Sequence, residues 1–529
     1  MNAQELSLEL HEGLSGNLDA QQCSQFFEMK PYLQPFEKQL AIRELEALCD
    51  SRIFETSRPN TFGSTSVLTA QQLSSLAYWQ RCGVEKLTPT TQVLCELSQN
   101  TVNKKNSNGG LHNTRRLRYG YHNLHEYRGK FFPQLVKSLI NISGVSRDGV
   151  LFDPFCGSGT TIVEGIAAGM KSIGCDLNPL SILITEAKCS LFSLSDEHIE
   201  KSIQIFKEAI FETSPKDVLW CDRDTKYLSD WFSPDALTDV QSILYQISLL
   251  EEEVQKFVRV CFSDVIRTVS YQKVADLRVR KEQKVYARND AQRLLLDKIA
   301  SQLSQIKAYQ EVVPPCSVVP YEIIQGDTKK VSEYAPSLKG YVDLIITSPP
   351  YATALPYLDT DRLSLISLGL LPREKHKNYE NLMIGTREIT EKRRREQWEH
   401  YLKNKHKLTD DINELIHKIA VVNHGDGVGF RRRNLPTLLG MYFLNMFKAF
   451  QSAKEMMKSG GKAYYVVGNN STNLDGEKLE IPTDRLLYDL AGKAGWKKNG
   501  YVSMELLTSR DIFKDNRGSS ESILELVNP

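Results

Sequence analysis

Two short apolar runs in this chain stop abruptly, and the residues just beyond each of them restrict the fold more than any other feature. Val150-Leu151-Phe152 gives way to Asp153-Pro154-Phe155-Cys156-Gly157-Ser158-Gly159-Thr160-Thr161. Val342-Asp343-Leu344-Ile345-Ile346 gives way to Thr347-Ser348-Pro349-Pro350-Tyr351. Brief runs of this kind, rich in β-branched residues, have the character of central strands in a parallel sheet covered on both faces. Ligands bind such sheets beyond the carboxyl ends of the strands, so both segments are expected at a ligand site although they lie far apart in the chain.

The surrounding pattern is α/β. A helix is expected at Gln134 to Asn141, another at Thr160 to Ala168, and a strand from Lys171 to Cys175 that ends at Asp176. Pro179 suits the first position of a further helix. β-Like runs recur at 321–324, 342–346, 463–467, 502–507 and 522–527, with helices at Leu438 to Lys458 and Thr483 to Ala494. The expected fold class is therefore α/β: a seven-stranded Rossmann-like sheet of five α/β units and a terminal hairpin, with helical insertions and an N-terminal helical region.

At 529 residues the chain calls for two or three structural units. Residues 1–110 are expected as the N-terminal helical region, amphipathic near Gln34 to Cys49 and Thr69 to Arg81, with 103–113 as a linker. The core occupies 111–194, 320–371 and 437–529. It is interrupted by a helical insertion at 195–319 and a basic insertion at 372–436, both far longer than a strand–helix connection needs.

An apolar share of 41% with 25% charged residues is that of a soluble globular protein. No apolar run approaches the roughly 20 residues that cross a bilayer, and the first residues lack an export pattern, so a cytoplasmic location and no membrane partner are expected. The ten cysteines form no CxxC pair, which argues for reduced thiols and against a structural metal site or a disulfide framework. The net charge of +1 conceals a local excess: residues 372–435 hold fifteen Lys and Arg against ten Asp and Glu. A polyanion partner is compatible with this, because phosphate binding depends on where the cations sit; a solvated helix face is the alternative.

Gly157-Ser158-Gly159 at a strand-to-helix turn permits close backbone approach and offers helix N–H groups to a ligand. It lacks the Gly-Lys-Ser/Thr of a P-loop and the third glycine of the dinucleotide fingerprint. Asp176 ends the second strand, where a carboxylate can accept both hydroxyls of a ribose. Asp327 ends the third and can accept from an exocyclic adenine amine. Either aspartate alone is equally a helix cap; two at successive strand ends after a Gly-rich loop point to an adenosine-bearing cofactor.

Residues 153–161 followed by Thr347 to Tyr351 resemble the amino-methylating DNA methyltransferases that use S-adenosylmethionine, particularly their N4-cytosine branch. The run from His122 to Leu135 is similar to the segment that encloses the methionine part of the cofactor in that family, and Asp176-Leu177-Asn178-Pro179 also fits. The resemblance covers roughly 118–195 and 320–527. It implies S-adenosylmethionine held by Lys130, Phe132, Asp153, Phe155, Gly157, Ser158, Gly159, Thr160, Thr161, Asp176, Asn178 and Asp327. It also implies duplex DNA as substrate, with a cognate restriction endonuclease or defence-system subunits as partners and no metal.

The catalytic side is expected at Ser348, Pro349, Pro350 and Tyr351. An exocyclic amine is a poor nucleophile because its lone pair is delocalised into the ring. Acceptors aimed at its two N–H bonds favour a pyramidal nitrogen and stabilise the charge that develops. Ser348 Oγ and a backbone carbonyl of the 348–350 turn suit this role, and the prolines fix φ without adding N–H donors. Tyr351 offers a face on which an extruded base can stack. A C5-cytosine enzyme would need a nucleophilic cysteine after the fourth strand; Pro315-Cys316 lies before the third and reads as a linker.

Serine at 348, rather than Asp or Asn, leans within the family towards cytosine N4. Adenine N6, an RNA base amine, and a catalytically silent DNA-binding scaffold are the competing readings. Phosphate contact is expected from Lys273, Arg278, Arg280, Lys281 and Lys284 in the first insertion, and from Arg393, Arg394, Arg395, Arg431, Arg432 and Arg433 in the second.

Overall fold

The computed structural model describes residues 23–49, 53–98, 116–127, 129, 131–212, 220–273, 280–314, 319–352, 357–386, 388–423, 428–474, 477–505 and 520–529. Lys130, Arg278, Cys316 and the 103–113 linker lie outside them.

The N-terminal region corrects the helical expectation. The helix Pro35–Leu48 forms as expected, begun by Pro35 and by reciprocal hydrogen bonds between Gln34 and Glu37. Around it, however, runs an antiparallel sheet of β1 (Gln25–Met29), β2 (Ile53–Glu55), β3 (Thr61–Ser64), β4 (Trp79–Gly83) and β5 (Thr88–Pro89), in the order β2-β3-β1-β4-β5. The stretch expected to continue as helix to Arg81 stops at Ser75. Tyr78 and Trp79 are better buried from a strand, where Trp79 meets Phe27 and Phe62 edge-on at 5.7 and 5.6 Å. Strands of two to five residues carry too little period-2 signal to be read from sequence.

The main sheet has all seven expected strands: β6 (Val150–Asp153), β7 (Lys171–Asp176), β8 (Tyr321–Gln325), β9 (Val342–Thr347), β10 (Met457–Gly468), β13 (Lys497–Glu505) and β14 (Ser520–Val527). A small hairpin, β11 (Asn470–Leu474) with β12 (Glu477–Ile481), was not expected and stands apart. The order is β13-β14-β10-β9-β6-β7-β8, parallel from β10 through β8, with β14 antiparallel to both β10 and β13. From β6 the chain builds outward to β7 and β8, then returns to lay β9 on the other side. The switch point thus falls between β6 and β9, where a ligand crevice is expected.

Side chains of the central strands alternate between two cores, as a strand buried on both faces requires. Phe152, Ile345 and Tyr465 pack with the helix Phe430–Met456. Leu151, Leu344 and Ile346 pack with the helix Pro133–Ser143 and the N-terminal unit.

Neither insertion is a separate body. The described residues of the first form five helices, from Asp196–Ala209 to Asp290–Gln310, whose apolar residues share one core with Leu180, Leu183 and Ile184 behind the Gly-rich turn. The second contains the helices His376–Leu382, Glu391–Asn404 and Asp410–Val422. The next helix begins at Phe430, not at Leu438, so Arg431 to Arg433 belong to the first turn of a core helix. Pro436 argues against such an extension in sequence. It is held in the helix by its neighbours: Asn434 Nδ2 donates to the Ile389 carbonyl at 3.0 Å, and Tyr401 packs on Gly440. No described helix is long and apolar enough to cross a membrane.

Candidate active site

The two strand-end segments meet. Thr347 Oγ1, at the end of β9, donates to Asp153 Oδ1 at the end of β6 over 2.6 Å, and the same oxygen accepts the Phe155 N–H at 3.0 Å. Burial raises the Asp153 carboxyl to about 6, opposed by its hydrogen bonds. Asp153 is thus a buried joint between the halves of the site, not part of its wall.

The Gly-rich turn is shaped from behind. Gly157 and Gly159 have φ of +50° and +76°, and a Cβ on Gly159 would lie 2.6 Å from the Thr185 side chain. The helix Pro179–Ser190 supplies two supports: Thr185 Oγ1 donates to the Gly157 carbonyl at 3.1 Å, and the fully buried Lys188 donates to the Ser158 carbonyl at 2.6 Å. Ser158, Thr160 and Thr161 are buried beneath the turn. None of the three lines the cleft described next.

A cleft opens over the switch point. Its walls include Phe155, Gly157, Asp176, Asn178 and Asp327 from the cofactor half and Ser348 and Pro350 from the catalytic half. Tyr127 and Gly129 wall it from the expected lid segment, whereas Phe132 caps the next helix and packs towards the N-terminal unit. Leu382, Met383 and Ile384 of the second insertion close the far side, a contribution no motif announced.

Asp176 Oδ2 accepts the Gly157 N–H at 2.9 Å and Oδ1 the Asn178 N–H at 2.8 Å, which orients the carboxylate and leaves each oxygen capacity for another donor. Burial raises its carboxyl to about 6 against these backbone bonds. Asn178 Oδ1 caps the following helix at Leu180, and its Nδ2 donates to Asp361 Oδ2 at 3.0 Å, which Arg267 in turn approaches at 3.2 Å. Asp327 accepts the Lys329 N–H at 3.1 Å and pairs with Lys329 Nζ at 2.8 Å. That ammonium also donates to the Leu382 carbonyl at 2.5 Å and so fixes the closing segment to the third strand.

The Ser348-Pro349-Pro350-Tyr351 turn leaves β9 over the crevice. Tyr442, from the helix Phe430–Met456, donates to the Pro350 carbonyl at 3.1 Å. This anchors the turn to that helix and occupies one of the two acceptor positions of the Pro350 oxygen. Pro349 is buried and Tyr351 stands half-buried beside the cleft, its hydroxyl 3.0 Å from Glu521 Oε1 on β14. Lys188, Lys329, Tyr442 and Glu521 were not foreseen.

The basic candidates fall on two surfaces. Asn434 contacting Ile389, and Arg431 pairing with Glu388 at 2.7 Å, bring the starts of two helices together, so the 393–395 and 431–433 runs share one end. Glu391 engages Arg394 at 2.6 Å and Arg395 at 3.4 Å, while Arg432 and Arg433 are exposed. Exposed pairs such as these contribute little and can yield to phosphate. Arg280 and Lys281 lie elsewhere, in the loop after the helix Glu252–Val269; Lys281 Nζ stands 5.1 Å from the centre of the Trp231 ring. Among the described residues no group of three or more His, Cys, Asp or Glu could hold a metal ion.

This strand order, with the Gly-rich turn after the first strand and a carboxylate after the second, defines a Rossmann-like methyltransferase fold. A family model described as DNA methylase, for N6 and N4 methyltransferases, matches residues 55–187. The chain is 24% identical to Type II methyltransferase M.MvaI of Kocuria varians over 435 residues, 78% of this chain and 89% of that protein. It is 24% identical to Type II methyltransferase M.BsoBI of Geobacillus stearothermophilus over 71% of this chain and 78% of that protein. A tRNA (guanine(10)-N2)-dimethyltransferase of Methanothermobacter thermautotrophicus is 28% identical over 14% of this chain and 23% of that protein. These matches make the chain similar to amino-DNA methyltransferases.

Proposed function

We propose that this chain transfers a methyl group from S-adenosylmethionine to the exocyclic N4 of cytosine in duplex DNA, as the modification half of a restriction or phage-defence system. The observation that carries the reading is the Thr347–Asp153 hydrogen bond at 2.6 Å, which fixes the catalytic turn against the cofactor loop over one cleft. Bound S-adenosylmethionine supplies a methyl group on positively charged sulfur. Asp176 accepts from the ribose, Asp327 accepts from the adenine amine, and Phe155 and Gly157 complete that wall. On the other wall Ser348 Oγ and the carbonyl of Ser348 or Pro349 accept the two amine N–H bonds, which directs the nitrogen lone pair towards the methyl group. Tyr351 stacks the base once it has left the helix. Arg432 and Arg433, with the neighbouring run at 393–395, contact phosphates and place the duplex at the mouth.

The lean to cytosine rests on Ser348. The short similarity to a tRNA-modifying enzyme keeps RNA as the second reading. Labelled cofactor with duplex DNA and with RNA as separate substrates, followed by identification of the modified nucleoside, tests both. N4-methylcytosine in DNA is expected; N6-methyladenine would correct the base, and label in RNA alone would overturn the substrate.

The raised Asp176 carboxyl gives a pH signature. Above about 6 the group is ionised and accepts from the ribose; below it, a proton occupies an acceptor site. Affinity for S-adenosylhomocysteine, followed by calorimetry, is expected to fall as pH drops from 8 through about 6, by no more than about tenfold per pH unit. In Asp176→Asn that inflection should shrink. The sign for folding is opposite: a carboxyl raised in the folded state favours folding at low pH, and this contribution is lost as pH rises through about 6.

A further inference from the structure

Glu521 lies outside every recognisable motif, yet it touches the catalytic turn. Because β14 runs antiparallel to β10, its first residues arrive at the carboxyl end of the parallel strands, where the site is. There Glu521 Oε1 accepts the Tyr351 hydroxyl at 3.0 Å. Its register partner on β10 is Gly468, and a Cβ at 468 would stand 2.5 Å from Cε2 and 3.0 Å from Cδ2 of the Tyr351 ring. The ring edge therefore rests on a bare Cα, with its hydroxyl held one strand further over. On the backbone side Gly385 fits as closely: a Cβ there would lie 3.0 Å from the Tyr351 carbonyl oxygen.

We propose that Glu521 and Gly468 are positioning residues for the target base, which fix the plane of the Tyr351 ring on which that base stacks. The inference rests on the reading that Tyr351 receives an extruded base. The χ1 and χ2 angles of Tyr351 decide where its ring lies, and a misplacement of about 1 Å at a reacting centre can cost about a hundredfold in rate. A largely buried carboxylate is a costly choice for a merely structural contact. Burial raises the Glu521 carboxyl above the usual carboxylate range, and the hydrogen bond from the Tyr351 hydroxyl opposes that shift. An apolar residue would pack as well but would leave the ring angle unset.

The test compares wild type, Glu521→Leu, Glu521→Gln, Tyr351→Phe and the Leu/Phe double variant in single-turnover methylation of duplex DNA at saturating cofactor. Glu521→Leu and Tyr351→Phe should each slow transfer about tenfold, the value of one hydrogen bond to a charged acceptor. The double variant should be no more than about twofold slower than either, because both remove the same bond. Glu521→Gln, whose amide oxygen still accepts, should recover most of the rate. Gly468→Ala, which displaces the ring without touching the carboxylate, should also slow transfer while cofactor affinity and melting temperature stay near wild type. A wild-type rate in Glu521→Leu, or losses that multiply in the double variant, would overturn the proposal. A wild-type chain that methylates no DNA would instead overturn the reading beneath it.

Discussion

Exchange of Ser348 for alanine is expected to slow methyl transfer by about a hundredfold or more, the cost of one acceptor aimed at charge that develops in the transition state. Cofactor affinity should stay within about twofold, since a group that acts only in the transition state lowers kcat without weakening ground-state binding. The surroundings make the effect large. The prolines contribute no N–H donors that would compete for the hydroxyl, and one acceptor position of the Pro350 carbonyl is taken by Tyr442 at 3.1 Å. Single-turnover rates with duplex DNA, beside calorimetry of S-adenosylhomocysteine, separate the two effects. A wild-type rate in Ser348→Ala would move the amine acceptor elsewhere in the cleft.

The converse result is expected from Asp176→Ala: loss of about a hundredfold or more in cofactor affinity, from two hydrogen bonds to a charged acceptor. The same side chain orients the Gly157 and Asn178 N–H groups at 2.9 and 2.8 Å, so the loop that presents the cofactor should loosen as well. Transfer should recover in part at very high cofactor concentration, which Ser348→Ala should not allow. An unchanged dissociation constant in Asp176→Ala would remove this carboxylate from the cofactor site.

The strands that frame the crevice were legible because each is a continuous apolar run ending in residues of special geometry. Asp153 and Thr347 were visible as neighbours in function, but their direct bond was not, since it depends on the strand order. The N-terminal sheet escaped notice because its strands are two to five residues long and its tryptophan sits in a stretch that also satisfies a helical period. Glu521, Tyr442 and Lys329 were illegible for another reason. Each is an ordinary polar residue whose partner lies on a different element, and sequence records chemistry along the chain far better than across it. The basic runs were visible as charge, but their assembly at one end of two helices was not.

The shared core behind the cofactor loop has a consequence for altering target preference. If residues 195–319 choose the target, they do so from helices that also bury the inner face of Pro179–Ser190, the helix whose Thr185 and Lys188 hold the Gly-rich turn. Arg267 extends the link, through Asp361, to the cap of that same helix. A cassette exchange of this segment between relatives would therefore disturb methyl-donor binding unless Pro179–Ser190 travelled with it. On that placement, specificity and donor affinity would be inherited together, and a new recognition sequence would be reached by small steps on surface loops and not by exchange of the whole segment.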